Sequence, residues 1–156
     1  MTTVSAIDLP DETSSEMVAT HLAACLTPPL ILTFSGEIGA GKTTFIRAML
    51  RVLGVKTAIK SPTFSLVESY QCEHLQIHHF DLYRIHDETE LEYIGFRDYF
   101  LANSICCIEW PERASHTLEH VDMNFAFEIS GSGRLLTVRA LSAAGETMLS
   151  CLVGKQ

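Results

Sequence analysis

Residues 36–45, GEIGAGKTTF, follow an apolar run and precede a stretch with helical spacing. Gly36, Gly41, Lys42 and Thr43 satisfy the pattern G-x-x-x-x-G-K-[ST]. Glycines let the backbone curl so that successive N–H groups point inward at the oxygens of an anion. A helix that begins near Lys42 adds the positive end of its dipole. Lys42 then sets a cation against β- and γ-phosphates, and the Thr43 hydroxyl can ligate Mg2+. The alternative is an ordinary glycine turn capping a helix. A buried strand before the loop and an amphipathic helix after it argue for a nucleotide's phosphates instead.

Such a loop needs an acid at the end of a neighbouring strand, to hold Mg2+ or its waters and to orient an attacking water. LQIHHFD ends at Asp81 and SICCIE ends at Glu109. The second run is the more apolar and better fits a central parallel strand, so Glu109 is expected on the metal and Asp81 in support. SPTF, residues 61–64, places the hydroxyls of Ser61 and Thr63 around a proline, where a threonine can sense a γ-phosphate. His78 and His79 are adjacent on an expected strand and so point to opposite faces, which argues against a zinc cluster. Trp110 follows Glu109 directly, close to the nucleotide or in the core. Cys106 and Cys107 lie within an apolar run and are expected to be inert.

These residues need a scaffold. Thr13-Ser-Ser-Glu16 fits a capping box, followed by apolar residues at near-helical intervals and closed by Pro28 and Pro29. LILTF, residues 30–34, reads as a strand buried on both faces. Phe45, Ile46, Met49, Leu50 and Leu53 line one side of a helix that Gly54 is placed to end. Residues 63–83 read as two strands joined near QCEH, and Asp87-Glu-Thr-Glu90 opens a helix through LEYIGFRDYF. From residue 121 the apolar residues alternate, SGSG at 130–133 supplies a turn, and two more strand-like segments follow. The expected class is α/β: a P-loop NTPase-like three-layer sandwich with a mostly parallel central sheet and an antiparallel β extension at the C-terminal end.

A chain of 156 residues fits one domain with a single core. No stretch approaches the roughly 18 apolar residues of a membrane span. The N-terminus shows neither the basic start nor the apolar run of a signal peptide, so a cytoplasmic protein is expected. Its five cysteines, Cys25, Cys72, Cys106, Cys107 and Cys151, form no CxxC pattern and are expected as reduced thiols. A net charge of −8 speaks against a broad face for nucleic-acid phosphates.

Taken together, GEIGAGKTTF, SPTFSLVE, HFDLYR (79–84), ELEYIGFRDYF (90–100) and IEWPER (108–113) resemble the TsaE family, also called YjeE, over nearly the whole chain. LPDE near the start and AAGE near the end match as well. The resemblance implies a small phosphate-loop ATPase needed to make N6-threonylcarbamoyladenosine at position 37 of tRNAs that read codons beginning with A. It implies ATP or ADP with Mg2+ as cofactors, slow hydrolysis by the isolated protein, and the TsaB–TsaD assembly as partner, with tRNA met only indirectly.

By position, it implies that Lys42 and the backbone of Gly39, Ala40, Gly41, Lys42, Thr43 and Thr44 hold the phosphates, with Thr43 and Glu109 on Mg2+. Asp81 would assist the metal or the water. Ser61 and Thr63 would form a switch-like loop, and Trp110 would pack on the nucleotide region. Glu12, Gly133 and Arg134 would lie near the adenosine. Two other classes fit less well. A small kinase would carry an arginine-bearing lid, whereas the seven arginines here are scattered. A GTPase would carry N-K-x-D, and neither Asn103 nor Asn124 has a lysine beside it.

Overall fold

The computed structural model describes residues 3–62 and 65–154. Among the described residues seven strands form one sheet: β1 (Thr3–Leu9), β2 (Leu30–Ser35), β3 (Val67–Cys72), β4 (Leu75–Asp81), β5 (Ser104–Glu109), β6 (Met123–Ser130) and β7 (Gly133–Ala140). Their order across the sheet is β1-β7-β6-β2-β5-β4-β3. The helices are α1 (Glu12–Cys25), α2 (Lys42–Val52), α3 (Thr89–Tyr93) and α4 (Ala143–Gly154), with 3-10 turns at Phe96–Tyr99 and Pro111–Ala114.

The pairs β4–β5, β5–β2 and β2–β6 are parallel, whereas β3–β4, β6–β7 and β7–β1 are antiparallel. The sheet is therefore mixed, with antiparallel pairing at both edges, where a mostly parallel sheet extended at one end was expected. The N-terminal strand β1 was not foreseen. Its pattern alternates but only Leu9 is buried, so hydrogen bonds to β7 define it more than apolar burial does. The last segment is also different, because Ala143–Gly154 is a helix and not a strand. Ser142 accepts from the Gly145 N–H at 3.0 Å, and buried Met148, Leu149 and Leu152 keep helical spacing.

Two further expectations change. The cap of α1 is Asp11, whose carboxylate accepts from Ser14 N at 2.8 Å, while Thr13 lies inside the helix. A carboxylate both caps an open N–H and meets the positive end of the dipole, so it outcompetes the later hydroxyl. Cys25 and Cys151 form a disulfide, with Cα atoms 5.9 Å apart, so these two are not free thiols. The pairing spans 126 residues and arises only because α1 and α4 pack together, which spacing cannot disclose. Cys72, Cys106 and Cys107 remain thiols, and burial pushes Cys106 up to about 12. Among the described residues no helix is long and apolar enough to cross a membrane.

The core lies on both faces of the sheet. Helices α1, α2 and α4 cover one face over Leu32, Phe34, Phe125, Phe127 and Val138. On the other face, Phe80, Cys106 and Ile108 meet Leu91 and Phe96. The helix expected across residues 90–100 breaks at Gly95, which has φ 68°, and continues as a 3-10 turn. Phe45, three residues into α2, fixes the start of that helix. Its ring lies 5.8 Å from Phe125 and 5.5 Å from Phe127, and Phe34 stacks on Phe125 at 4.9 Å. Burying each such ring contributes about 2–3 kcal/mol. The first turn of α2 is thus held rigidly over the end of β2.

Candidate functional site

Three parallel strands end at the same edge. In register, Phe34 of β2 pairs with Glu109 of β5, and Glu109 pairs with Asp81 of β4. The carboxyl ends of parallel strands are where α/β sheets receive ligands. Here β2 runs into the glycine loop. Gly36, Gly39 and Gly41 have φ of 138°, 81° and 104°, so all three use the left-handed half of conformational space. A Cβ on Gly36 would meet the Phe127 carbonyl at 2.5 Å, so the loop's entry also requires bare backbone.

Lys42 is 5% exposed. Its ammonium donates to the Gly36 carbonyl and, at 3.4 Å, to that of Glu37, and it sits 4.0 Å from the centre of the Trp110 ring. Burial pushes its pKa down, opposed by the carboxylates of Glu109, Glu112 and Asp81. The lysine is parked on its own loop in a position from which it can turn to an anion.

Thr43 Oγ1 donates to the Glu109 carboxylate, 3.0 Å from each oxygen. Glu109 is 2% exposed, and His79 Nε2 lies 2.6 Å from its Oε2. Asp81 accepts from Tyr83 N at 3.1 Å, and burial raises its pKa against that hydrogen bond. Among the described residues no cluster of three His, Cys, Asp or Glu could cage a metal. Mg2+ does not need one, because it takes one or two protein oxygens and fills the rest with phosphate oxygens and water. A hydroxyl and a carboxylate facing each other at the mouth of a phosphate loop fit that donor set.

Two adjoining clefts share Gly39, Gly41 and Thr44. One, of about 380 Å3, is lined by Ala40, Lys42, Thr43, Asp81, Arg84, Glu109 and Trp110 among others. The second, of about 240 Å3, is lined by Asp11, Glu12, Ser15, Gly133 and Arg134. Arg134 joins the β6–β7 hairpin to the loop, donating from Nε to the Ala40 carbonyl at 3.2 Å and from Nη2 to that of Gly39 at 3.0 Å. Gly133 passes so close to β1 that a Cβ would meet the Leu9 carbonyl at 2.6 Å. This contact brings the start of α1, with Glu12, beside the loop.

The structure therefore gathers most of the expected site residues along one edge. Gly36 sits at its root, and Ser61 is exposed and lines neither cleft. Thr63 lies outside the described residues. His78 and His79 point to opposite faces as expected: His78 bonds Ser69 Oγ at 2.7 Å and meets the Tyr99 ring edge-on. Two site residues went unforeseen. Tyr83 packs against Trp110 with the rings tilted and their centres 4.9 Å apart, and His79 pairs with Glu109. A signal for His79 existed, since it stands two residues before Asp81 and period-two alternation puts both on one face.

Residues 9–136 match the family model described as "Threonylcarbamoyl adenosine biosynthesis protein TsaE". A relative from Haemophilus influenzae, named tRNA threonylcarbamoyladenosine biosynthesis protein TsaE, is 38% identical over 91% of this chain and 93% of its own length. A Bacillus subtilis protein of the same name is 33% identical over 78% of this chain and 75% of its own. In fold, the chain is similar to a crystal structure of Bacillus subtilis YdiB, with TM-score 0.83, 24% identity, and 99% and 97% of the two chains covered.

Proposed function

We infer the activity from one premise: the chain belongs to the TsaE family. It acts in tRNA threonylcarbamoyladenosine biosynthesis as a subunit that binds ATP with Mg2+ and hydrolyses it, on a P-loop NTPase-like three-layer sandwich. The observation that carries this reading is the convergence of the Gly36–Thr44 loop, Lys42 and Thr43 on Glu109 at the end of the adjacent parallel strand.

In this reading the loop amides and the start of α2 bind the phosphates. Lys42 leaves the Gly36 carbonyl and turns to the β- and γ-phosphate oxygens. Thr43 and Glu109 hold Mg2+, which when bound neutralises charge on those oxygens. Asp81, next to Glu109 in register, orients the attacking water or the metal's waters. Glu12 and the Gly133–Arg134 turn line the cleft that takes the adenosine. Ser61 and Thr63 belong to the connector that answers to the γ-phosphate.

The chain transfers no threonylcarbamoyl group itself. It acts in the cytoplasm on a TsaB–TsaD assembly, whose repeated cycles on position 37 of tRNAs reading ANN codons its ATP turnover sustains. A net charge of −8 supports a subunit that leaves tRNA to its partners. Slow hydrolysis by the chain alone fits a site without a built-in arginine finger; a partner's side chain, or Arg84, which lines the phosphate cleft, would supply one. The test is depletion of the protein followed by mass spectrometry of bulk tRNA. The modified adenosine should fall, and an undiminished level would reject the pathway, whatever an ATPase assay shows.

A further inference from the structure

We propose that His79 is a positioning residue for Glu109, holding the carboxylate in the orientation that receives a divalent cation beside Thr43. This rests on the ATPase reading above. His79 lies on β4 opposite Cys107, and Asp81 lies opposite Glu109, so the imidazole reaches Glu109 diagonally on one face of the sheet. Nε2 is 2.6 Å from Oε2, and both side chains are 2% exposed.

A glutamate at a strand end has rotamers that would swing it toward the Lys42 ammonium or away from the loop. Nε2–H donation from behind fixes one oxygen, and the Thr43 hydroxyl meets the carboxylate from the loop side. A hydrogen-bonded ligand carboxylate is oriented before the cation arrives.

The other ring nitrogen supports this assignment. His79 Nδ1 is buried and has no hydrogen-bond partner among the described residues. With Nε2–H on the carboxylate, Nδ1 is an acceptor left unpaired in the core, a cost an apolar ring would avoid. Packing alone does not ask for a histidine here. Among the described residues, its one side-chain hydrogen bond is with the carboxylate that faces Thr43.

The test compares His79→Phe, which keeps a ring but no donor, with His79→Gln, whose amide N–H can reach the place of Nε2–H. The readout is binding of a fluorescent non-hydrolysable ATP analogue with Mg2+ and with EDTA, on variants whose melting confirms folding. H79F should leave EDTA affinity within about twofold of the starting protein and cut the Mg2+-dependent gain by about 10–100-fold. H79Q should recover most of that gain, and H79F should add no further loss in a Glu109→Gln background. An unchanged Mg2+ gain in H79F overturns the proposal, as does an equal loss in Mg2+ and EDTA. H79Q performing no better than H79F also overturns it. Absence of any Mg2+ gain in the starting protein would instead strike the ATPase reading.

A second measurement needs no variant. NMR of isotope-labelled histidine should show His79 as the Nε2–H tautomer, shifting with Mg2+ plus nucleotide and not with nucleotide in EDTA. The Nδ1–H tautomer would overturn the proposal.

Discussion

Thr43 Oγ1 lies 3.0 Å from each oxygen of Glu109, joining the first turn of α2 to the end of β5 across 66 residues of chain. Glu109→Gln keeps the shape and removes the charge that a cation needs. Mg2+-dependent ATP hydrolysis should fall more than about 100-fold, beyond the usual effect of an outer-shell change. Its melting temperature should not fall, since a buried charge is lost and the amide can still bond Thr43. A malachite-green phosphate assay beside a thermal melt checks both, and full activity would move the metal role to Asp81.

Lys42 rests against Trp110, and this contact offers an optical reporter. On the proposed reading nucleotide binding would draw the ammonium off the indole face, so Trp110 emission should change on adding ATP analogue. Lys42→Ala removes a charge-assisted contact to phosphate and should weaken binding about 10–100-fold. A fluorescence titration reads both effects. Unchanged affinity in Lys42→Ala would count heavily against the loop as the phosphate site.

The glycines of the loop should separate by the space around them. At Gly36, φ is 138° and an added methyl would meet the Phe127 carbonyl at 2.5 Å, so both backbone and space resist alanine. Gly36→Ala should cost about 2–4 kcal/mol of stability. Gly39 has φ of 81° and nothing within 4 Å, so Gly39→Ala should cost only the left-handed backbone preference, about 1 kcal/mol. Urea melts of the two variants give the comparison, and equal losses would contradict it.

The contrast between legible and hidden features follows from range. Lys42, Thr43 and the helix behind them were readable because glycine spacing and 3.6-residue periodicity are local. Strands β2 and β5 were readable because continuous apolar runs mark burial on both faces. Strand β1 was not, since an edge strand with one buried residue leaves almost no pattern. Nor was the Cys25–Cys151 bond, which depends on where the chain's two ends pack. His79 fell between these cases. Its face could be read, but its partner came from a strand 30 residues away.

The cap at Asp11 gives a pH dependence. Hydrogen bonds from the Ser14 backbone and hydroxyl lower its pKa below the ordinary 3.8. The stabilisation is therefore present in full above the unfolded value and is lost as pH falls through the lower folded value. Asp11→Ala should melt a few degrees lower at neutral pH, and the gap should narrow on acidification below the unfolded value. Asp11→Asn, whose neutral amide caps without a charge, should recover only part of the loss at neutral pH and keep that part on acidification. A gap that stays constant down to the most acid condition would show that the charge plays no part.

Arg134 donates to the carbonyls of Gly39 and Ala40, so it acts on the loop's shape from the β6–β7 hairpin. Its planar fork reaches two acceptors at once, which a lysine cannot reproduce. Arg134→Leu should free the loop and weaken ATP-analogue binding about 10-fold, and Arg134→Lys should restore little of it. The loss should be equal in Mg2+ and in EDTA, because the guanidinium orders backbone amides and does not touch the Thr43–Glu109 pair. Titrations in both conditions decide it. A loss confined to Mg2+ would tie Arg134 to the metal side of the site, and no loss in either would leave the hairpin clamp without effect on the nucleotide.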